Sequence, residues 1–287
     1  MKKRWISIVL IFAFLIGLSL VIYPTFSDYW NSLHQSRAVA SYVEQAQNLD
    51  AEEKELIWKQ AVQYNEALKT RENNYQLPDD LRLQYNNVLD ISGTGIMGYI
   101  TVLVIDETLP IYHGTTEGVL QIAIGHIDWS FLPVGGEGTH IVLSGHRGLP
   151  SAQLFSDLDK LVAGDVFMLQ VMDETLTYEV DQILIVEPGD VNPLIAMPDK
   201  DYCTLVTCTP YGINTHRMLV RGHRIENTVA SKTVHIVSEA IQIDPKIVAL
   251  VLALPLLIVT FVLLIVTDAG QGIKRRRIAE KSNTEEE

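Results

Sequence analysis

Cysteine is almost absent from this chain: its 287 residues contain two, Cys203 and Cys208. That excludes a disulfide-stapled scaffold. Charge is sparse at 20% and unevenly signed, with 22 Lys+Arg against 35 Asp+Glu and a formal net charge of −13. With 47% hydrophobic residues beside so little charge, the chain is not intrinsically disordered. An acidic excess of this size repels phosphate backbones, which argues against nucleic acid as a partner. No CxxC or HxxxH spacing occurs. Neither a metal site nor any other cofactor is therefore expected. Internal repeats are missing too, and the only biased segment is the acidic tail Thr284–Glu287.

What the sequence holds in quantity is apolar residues, gathered at its two ends. Trp5–Tyr23 is a run of 19 uncharged residues and Ile247–Thr267 a run of 21. Either is long enough to cross about 30 Å of hydrocarbon as a helix. Lys2, Lys3 and Arg4 precede the first run and Lys274–Arg277 follow the second. Both basic clusters favour the cytoplasmic side of a cell membrane, so both termini are expected there, with everything between the spans outside. Pro24-Thr25-Phe26-Ser27-Asp28 offers no small-x-small cleavage site, and the first run reads as an uncleaved anchor. Residues 24–245 carry 13 Lys+Arg against 30 Asp+Glu, a solubilising surface that repels anionic headgroups.

Residues 27–70 read as helical. Asp50 ahead of Ala51-Glu52-Glu53 forms a capping box. Leu56, Ile57, Ala61, Tyr64 and Leu68 follow at three- and four-residue spacing, an amphipathic stripe. Residues 71–90 break this pattern with paired asparagines and Pro78, and read as a long connecting loop. From Ile91 the texture changes to short β-rich runs: Met97–Ile105, Ile141–Ser144, Asp165–Val171, Leu176–Glu187, Tyr202–Cys208 and Arg217–Arg224. Ser151–Leu161 reads as a helical or turn piece between them. Many short strands in about 140 residues indicate a closed barrel or a sandwich.

Five residues along one strand separate Cys203 from Cys208 by about 16 Å. Bridged Cα atoms lie within about 7 Å, and the two side chains point to opposite faces. At least one thiol therefore stays unpaired where disulfides are permitted, the mark of a thiol that does chemistry. If the last two strands form a hairpin with Cys208 opposite Arg217, then Thr204, Val206 and Cys208 share a face with Arg217, Leu219 and Arg221. Cys203, Leu205, Thr207, Met218 and Val220 form the other, more apolar face. A guanidinium across from a thiol favours the nucleophilic thiolate, while Cys203 reads as an inert buried hydrophobe.

Acyl transfer also needs a proton donor for the leaving group and a cationic or N–H site for the oxyanion. His146 is the strongest candidate donor, because it ends the apolar Ile141–Ser144 run and opens the turn Gly145-His146-Arg147-Gly148. His126, in Ile124-Gly125-His126-Ile127-Asp128-Trp129, is the alternative. His216 neighbours Arg217 but points to the opposite face by strand alternation.

Thr204-Leu205-Val206-Thr207-Cys208, with Arg217 nine residues on, resembles the TLxTC…R signature of sortases. Ser144-Gly145-His146-Arg147-Gly148 resembles their histidine loop. The longer stretches SGHRGLPSAQLFSDLDKL, TLVTCTPYGINTHRMLVRGHR and LPIYHGT are similar to class C sortases, the pilus-assembling branch. The resemblance spans roughly residues 90–226, together with the two-anchor layout and the helical N-terminal extension. It implies a mainly β fold, the closed eight-stranded sortase barrel with short helices, flanked by two transmembrane helices.

Under that resemblance, residues 1–4 are a cytoplasmic N-terminus, 5–23 a transmembrane signal-anchor and 24–90 a helical extension with a lid-like loop. The catalytic barrel occupies 91–228, followed by a linker at 229–246, a transmembrane helix at 247–267 and a cytoplasmic tail at 268–287. Cys208 would attack the Thr–Gly bond of a Leu-Pro-X-Thr-Gly sorting signal. His146 would protonate the departing amine and deprotonate the incoming one, and Arg217 would hold the substrate and stabilise the oxyanion. The implied partners are the sorting signals of pilins or surface proteins and a lysine amine on an acceptor pilin. Two other readings stay open: attachment of surface proteins to cell-wall peptidoglycan, and a non-enzymatic, membrane-tethered binding domain.

One departure stands out. Class C sortases commonly anchor a lid with Asp-Pro-aromatic, and no Asp-Pro-Phe or Asp-Pro-Trp occurs in this chain. Residues 71–90 carry Pro78-Asp79-Asp80-Leu81 instead, leaving Tyr75 or Tyr85 to cover the groove.

Overall fold

The computed structural model describes residues 2–70, 75–77 and 79–227. It begins with a single helix, α1 (Lys2–Asn48), of 47 residues. At 1.5 Å per residue this is a rod about 70 Å long, more than twice the hydrocarbon thickness of a bilayer. The expected boundary between a span ending at Tyr23 and an extension starting at Pro24 is thus no break in the helix. Pro24 lies inside it, where it removes one backbone donor. Within Phe12–Asn48, the most apolar window of α1 is not covered by the rest of the protein. Among the described residues it is the one helix long and apolar enough to cross a membrane. The second expected span, 247–267, lies outside the described residues.

Helix α2 (Ala51–Lys69) starts at the capping box: the Asp50 carboxylate accepts from the Glu53 N–H at 2.8 Å, and Glu53 accepts from the Asp50 N–H at 3.0 Å. Such a cap contributes about 1 kcal/mol. Its buried face is Ala61, Tyr64 and Asn65, whereas Leu56 of the expected stripe is 57% exposed. Asn65 clamps one residue of the barrel, donating to the Leu132 carbonyl at 3.1 Å and accepting from the Leu132 N–H at 2.8 Å.

Residues 71–90 are not simply a loop. Helix α3 (Asp79–Asn87) occupies its second half, a polar segment whose one deep anchor is Tyr85.

Eight strands then close a barrel: β1 (Ile96–Val102), β2 (Glu107–His113), β3 (Ile124–His126), β4 (Thr139–Ser144), β5 (Val166–Val171), β6 (Glu174–Val186), β7 (Asp201–Thr209) and β8 (His216–Ile225). Their order around the barrel is β1-β2-β3-β4-β7-β8-β6-β5. The sequence pattern misses β2 and β3. β3 has only three residues, and β2 contains Pro110, which sits beyond the end of the β3 pairing at Ile111–His113. There β2 has no neighbour on that side, the edge-like setting that tolerates a missing N–H. The expected strand over Met97–Ile105 stops at Val102 and passes into a 3-10 turn. Ser151–Leu161 is mostly turn, with a 3-10 piece at Leu158–Lys160. Between β2 and β3 lies the four-residue helix α4 (Glu117–Leu120). The barrel interior is filled by apolar side chains including Ile100, Ile111, Ile141, Leu143, Leu205 and Val220.

The second half of α1 docks on the barrel at polar points. Asn31 donates to the Ser151 carbonyl at 2.7 Å and Gln35 to the Ile122 carbonyl at 2.7 Å. Tyr42 is buried, donating to the Met97 carbonyl at 3.1 Å and accepting from the Met172 N–H at 3.0 Å.

Candidate active site

Two strand pairings on either side of β7 build the site. Strand β8 runs antiparallel to β7 with Cys208 opposite Arg217, so thiol and guanidinium project from one face. On the other side β4 runs parallel to β7, with Ser144 beside Val206. The pairing continues past the end of β4: the Gly145 N–H donates to the Val206 carbonyl at 3.0 Å, and the Thr207 hydroxyl donates to the Gly145 carbonyl at 2.8 Å. One further residue brings His146 alongside Cys208, on strands about 5 Å apart. The backbone of Cys208 thus lies between the stretch that leads to His146 on one side and Arg217, its cross-strand partner, on the other. The three expected site residues are brought together.

Gly145 is fixed by space. A Cβ there would lie 2.6 Å from the Ile124 side chain and 2.6 Å from Phe155, so only glycine lets the chain leave β4 at this point. Beyond His146 the loop folds back on itself. The Phe155 N–H donates to the His146 carbonyl at 3.2 Å, and the Gly148 N–H to the Ser156 hydroxyl at 3.0 Å. Arg147, which the sequence reading left without a role, ties this loop to the nucleophile strand. Its guanidinium pairs with Asp159, reaches the Thr209 hydroxyl at 3.4 Å and stands 5.9 Å from the Tyr211 ring centre. The flanking basic residue in the Gly-His-Arg-Gly turn was the available signal. Arg217 is steadied by its own turn, its Nη1 donating to the Asn214 and His216 carbonyls at 3.3 and 3.1 Å.

The opposite face of the same strands is inert. Cys203 is fully buried, and burial pushes its thiol well above the usual range. His126, the alternative proton donor, pairs with Leu143 across β3 and β4 and therefore points into the core. Its Nε2–H donates to the Phe131 carbonyl at 2.8 Å, leaving Nδ1 to accept from the Tyr85 hydroxyl at 2.9 Å. Burial holds His126 neutral and lowers its pKa to about 3. It is a core strut. His216 is 41% exposed on its side chain and faces Glu187 at 3.3 Å.

Along the outer face, beginning two residues from Cys208 at Val206 and Leu219, runs an apolar cluster that also includes Val142 and Leu194, with Trp129 against it. At its far end a cavity of about 510 Å³ is lined by Tyr75, Leu77, Trp129, His140 and Ile195, among others. His140 pairs with Tyr202, six residues before Cys208, which places it about 20 Å from the thiol along the strand. Buried His140 is neutral, with its pKa lowered to about 4 by desolvation. Its Nδ1–H donates to the Ile195 carbonyl at 3.3 Å, and the Thr204 hydroxyl donates to Nε2 at 2.7 Å.

The described part of the expected lid bears on this far end and not on the thiol. Tyr75 meets Trp129 edge-on at 5.4 Å between ring centres. Tyr85 does not cover the groove: it is buried, accepting from the Gly114 N–H at 2.9 Å while it supports His126.

The family model for the sortase domain matches residues 100–225 of this chain. The crystal structure of sortase C1 from Streptococcus agalactiae is similar to it at 50% identity and TM-score 0.66, covering 67% of this chain and 100% of that one. Sortase C of Streptococcus pneumoniae, whose structure is described as bearing on catalysis and pilin substrate specificity, is similar at 44% identity and TM-score 0.61, covering 67% and 98%. Among curated proteins, sortase SrtE1 of Streptomyces coelicolor is 32% identical over 98 residues, 31% of this chain. That match spans 28% of SrtE1, well under half of its length. A closed eight-stranded barrel, a partly exposed cysteine paired across two strands with an arginine, and a solved sortase C1 covered end to end at 50% identity lead to one family: this chain belongs to the sortases, the cysteine transpeptidases, alongside their class C members.

Proposed function

We propose that this protein is an extracellular, membrane-anchored transpeptidase that joins pilin subunits. The single observation that carries the proposal is the register of β4, β7 and β8, in which Arg217 lies opposite Cys208 and the chain leaving β4 beside Val206 runs on to His146; this supports the three as one site. The Cys208 thiolate attacks the threonine carbonyl carbon of a Leu-Pro-X-Thr-Gly signal, and the apolar cluster beside it accommodates the Leu-Pro portion. Arg217, across the strand pair, stabilises the oxyanion of the tetrahedral intermediate. His146 gives a proton to the departing glycine amine, leaving a thioester on Cys208. It then takes a proton from an acceptor lysine amine, whose attack on the thioester carbonyl expels the Cys208 thiolate and forms an isopeptide bond.

The similarity to class C enzymes supports a pilin lysine as acceptor. The apolar half of α1 and the basic residues around both apolar runs support two membrane spans with both termini cytoplasmic. The test is product analysis with the full chain, a sorting-signal peptide, a pilin carrying candidate lysines and a cell-wall peptide amine. A mass increase on a pilin lysine is expected. Exclusive transfer to the cell-wall peptide would assign the protein to surface-protein attachment instead.

A further inference from the structure

His146 Nε2 is buried and without a hydrogen-bond partner. The group facing it is a carboxylate: Glu117 Oε1, at the start of α4, lies 3.8 Å away. That oxygen is held in place, since the Gln121 amide donates to it at 2.6 Å. The segment carrying both is pinned in turn by Gln35 of α1, which binds the Ile122 carbonyl. A carboxylate fixed opposite a buried, unpartnered imidazole nitrogen meets a chemical need. His146 must become a cation during turnover, with the Arg217 guanidinium across the thiol, and like charges disfavour that state. Two neighbours of this corner add no net charge to it. Arg147 is neutralised by Asp159, and α1 contributes the uncharged Gln35.

The geometry points to Glu117 as a positioning residue for His146, an assignment that rests on the transpeptidase reading above. Glu117 Oε1 accepts from Nε2–H once the ring is protonated, closing the 3.8 Å gap to hydrogen-bond distance. This leaves Nδ1 as the nitrogen that exchanges a proton with the Cys208 sulfur and with the two amines. It also stabilises the imidazolium, and with it the neighbouring thiolate. The Glu117 side chain is 73% exposed, so solvent screens the effect and keeps it modest. Gln121 sets the carboxylate's orientation, and α1 sets the position of the segment.

The test uses the full chain in detergent and two readouts. The first is the pH profile of Cys208 alkylation by iodoacetamide, which needs no substrate. Glu117→Gln removes the charge at constant size. It should move the alkylation midpoint up by about half a pH unit, a roughly threefold slower reaction on the acid side. Glu117→Asp should restore part of the shift, and Gln121→Leu, which frees the carboxylate, should reproduce part of the loss. The second readout is turnover of a Leu-Pro-X-Thr-Gly peptide with a lysine amide as acceptor. Glu117→Gln should lower kcat several-fold with KM within twofold. An unchanged alkylation midpoint in Glu117→Gln, or identical behaviour of the Gln and Asp variants, overturns the assignment. Failure of the wild-type chain to turn over the peptide would sink the transpeptidase reading alone, with the alkylation profile still deciding the role of Glu117.

Discussion

The two faces of the β4–β7–β8 sheet carry the same kinds of residue to opposite ends. Each face of β7 presents one cysteine, and in the neighbouring β3–β4 region His126 points inward while His140 and His146 lie on the outer side. Inside the barrel, Cys203 and His126 have lost their water. Burial raises the pKa of the first and lowers that of the second, so both stay neutral and unreactive. Outside, Cys208 is partly exposed beside Arg217, and His146 sits at a strand end with a free ring nitrogen. Residue type does not separate the reactive pair from the inert one. Position parity separates the two cysteines, because one step moves a side chain from solvent to core, while His140, on the outer face, is buried all the same by what packs over it.

The sharpest way to break this contrast is to remove each sulfur in turn. Cys208→Ala should abolish peptide transfer, a loss of at least about a thousandfold, with unchanged melting, whereas Cys203→Ala should keep turnover within about threefold and lose about 1 kcal/mol of stability to the vacated volume. Comparable activity losses in both variants at equal melting temperature would dissolve the distinction between the faces.

The histidines give the next test. His146→Ala should cost about a hundredfold in kcat/KM, as removal of a general acid does, and Arg217→Lys a similar factor because lysine lacks the planar fork. His126→Ala should instead leave kcat near normal. It strips partners from the Tyr85 hydroxyl and the Phe131 carbonyl and opens a cavity, for a loss of about 2–4 kcal/mol in a denaturant titration.

Acid should act more gently, through the buried histidines of both faces. His126 and His140 are held neutral in the folded state, with pKa values lowered to about 3 and about 4 by burial. In the unfolded chain each takes up a proton below about pH 6.5. The unfolded state thus binds more protons across the window from 6.5 down towards 4, and stability must fall as pH falls through it. At pH 5 each residue should contribute close to one proton to the slope. His126→Asn should reduce the pH dependence of the unfolding free energy between 6.5 and 5 by about 1.4 kcal/mol per pH unit at most. An unaltered slope would mean that His126 is protonated in the folded protein.

The smallest effect concerns the expected lid. Since Tyr75 bears on Trp129 at the far end of the outer face, Tyr75→Ser should change the rate of Cys208 labelling by a small thiol reagent less than about threefold. A tenfold rise would place the segment over the thiol after all.

The pairing of Cys208 with Arg217 was legible because alternation in two strands joined by a short turn leaves few registers open. The capping box at Asp50 was equally legible, being a local hydrogen-bond pattern. The parallel pairing of β4 with β7 was not, since more than fifty residues separate them and no local pattern encodes which strands become neighbours. That pairing carries the chain from β4 towards Cys208 and so favours His146 over His126, a choice that in the sequence rested on the form of the turn alone. Helix α3 was hidden by its own polarity: in Asp79–Asn87 Tyr85 is the buried anchor, and one aromatic every nine residues makes no stripe. Deleting residues 73–85 would therefore remove a strut of His126 together with any lid.

Helix α1 carries a mechanical consequence. Its apolar run ends at Tyr23, and Asn31, eight residues on, already grips Ser151 beside the histidine loop. Eight helical residues measure about 12 Å. With the apolar half in a bilayer, as proposed, the reaction centre is carried on a short, stiff stalk and cannot swing outward as it could on a coil tether. The stand-off is set by the pitch of a helix. On the proposed pilin-joining reading, sorting signals would have to be offered within that narrow layer above the lipid, by partners still held at the membrane themselves, and a lengthening polymer would grow away from its point of manufacture while its newest joint stayed at the base.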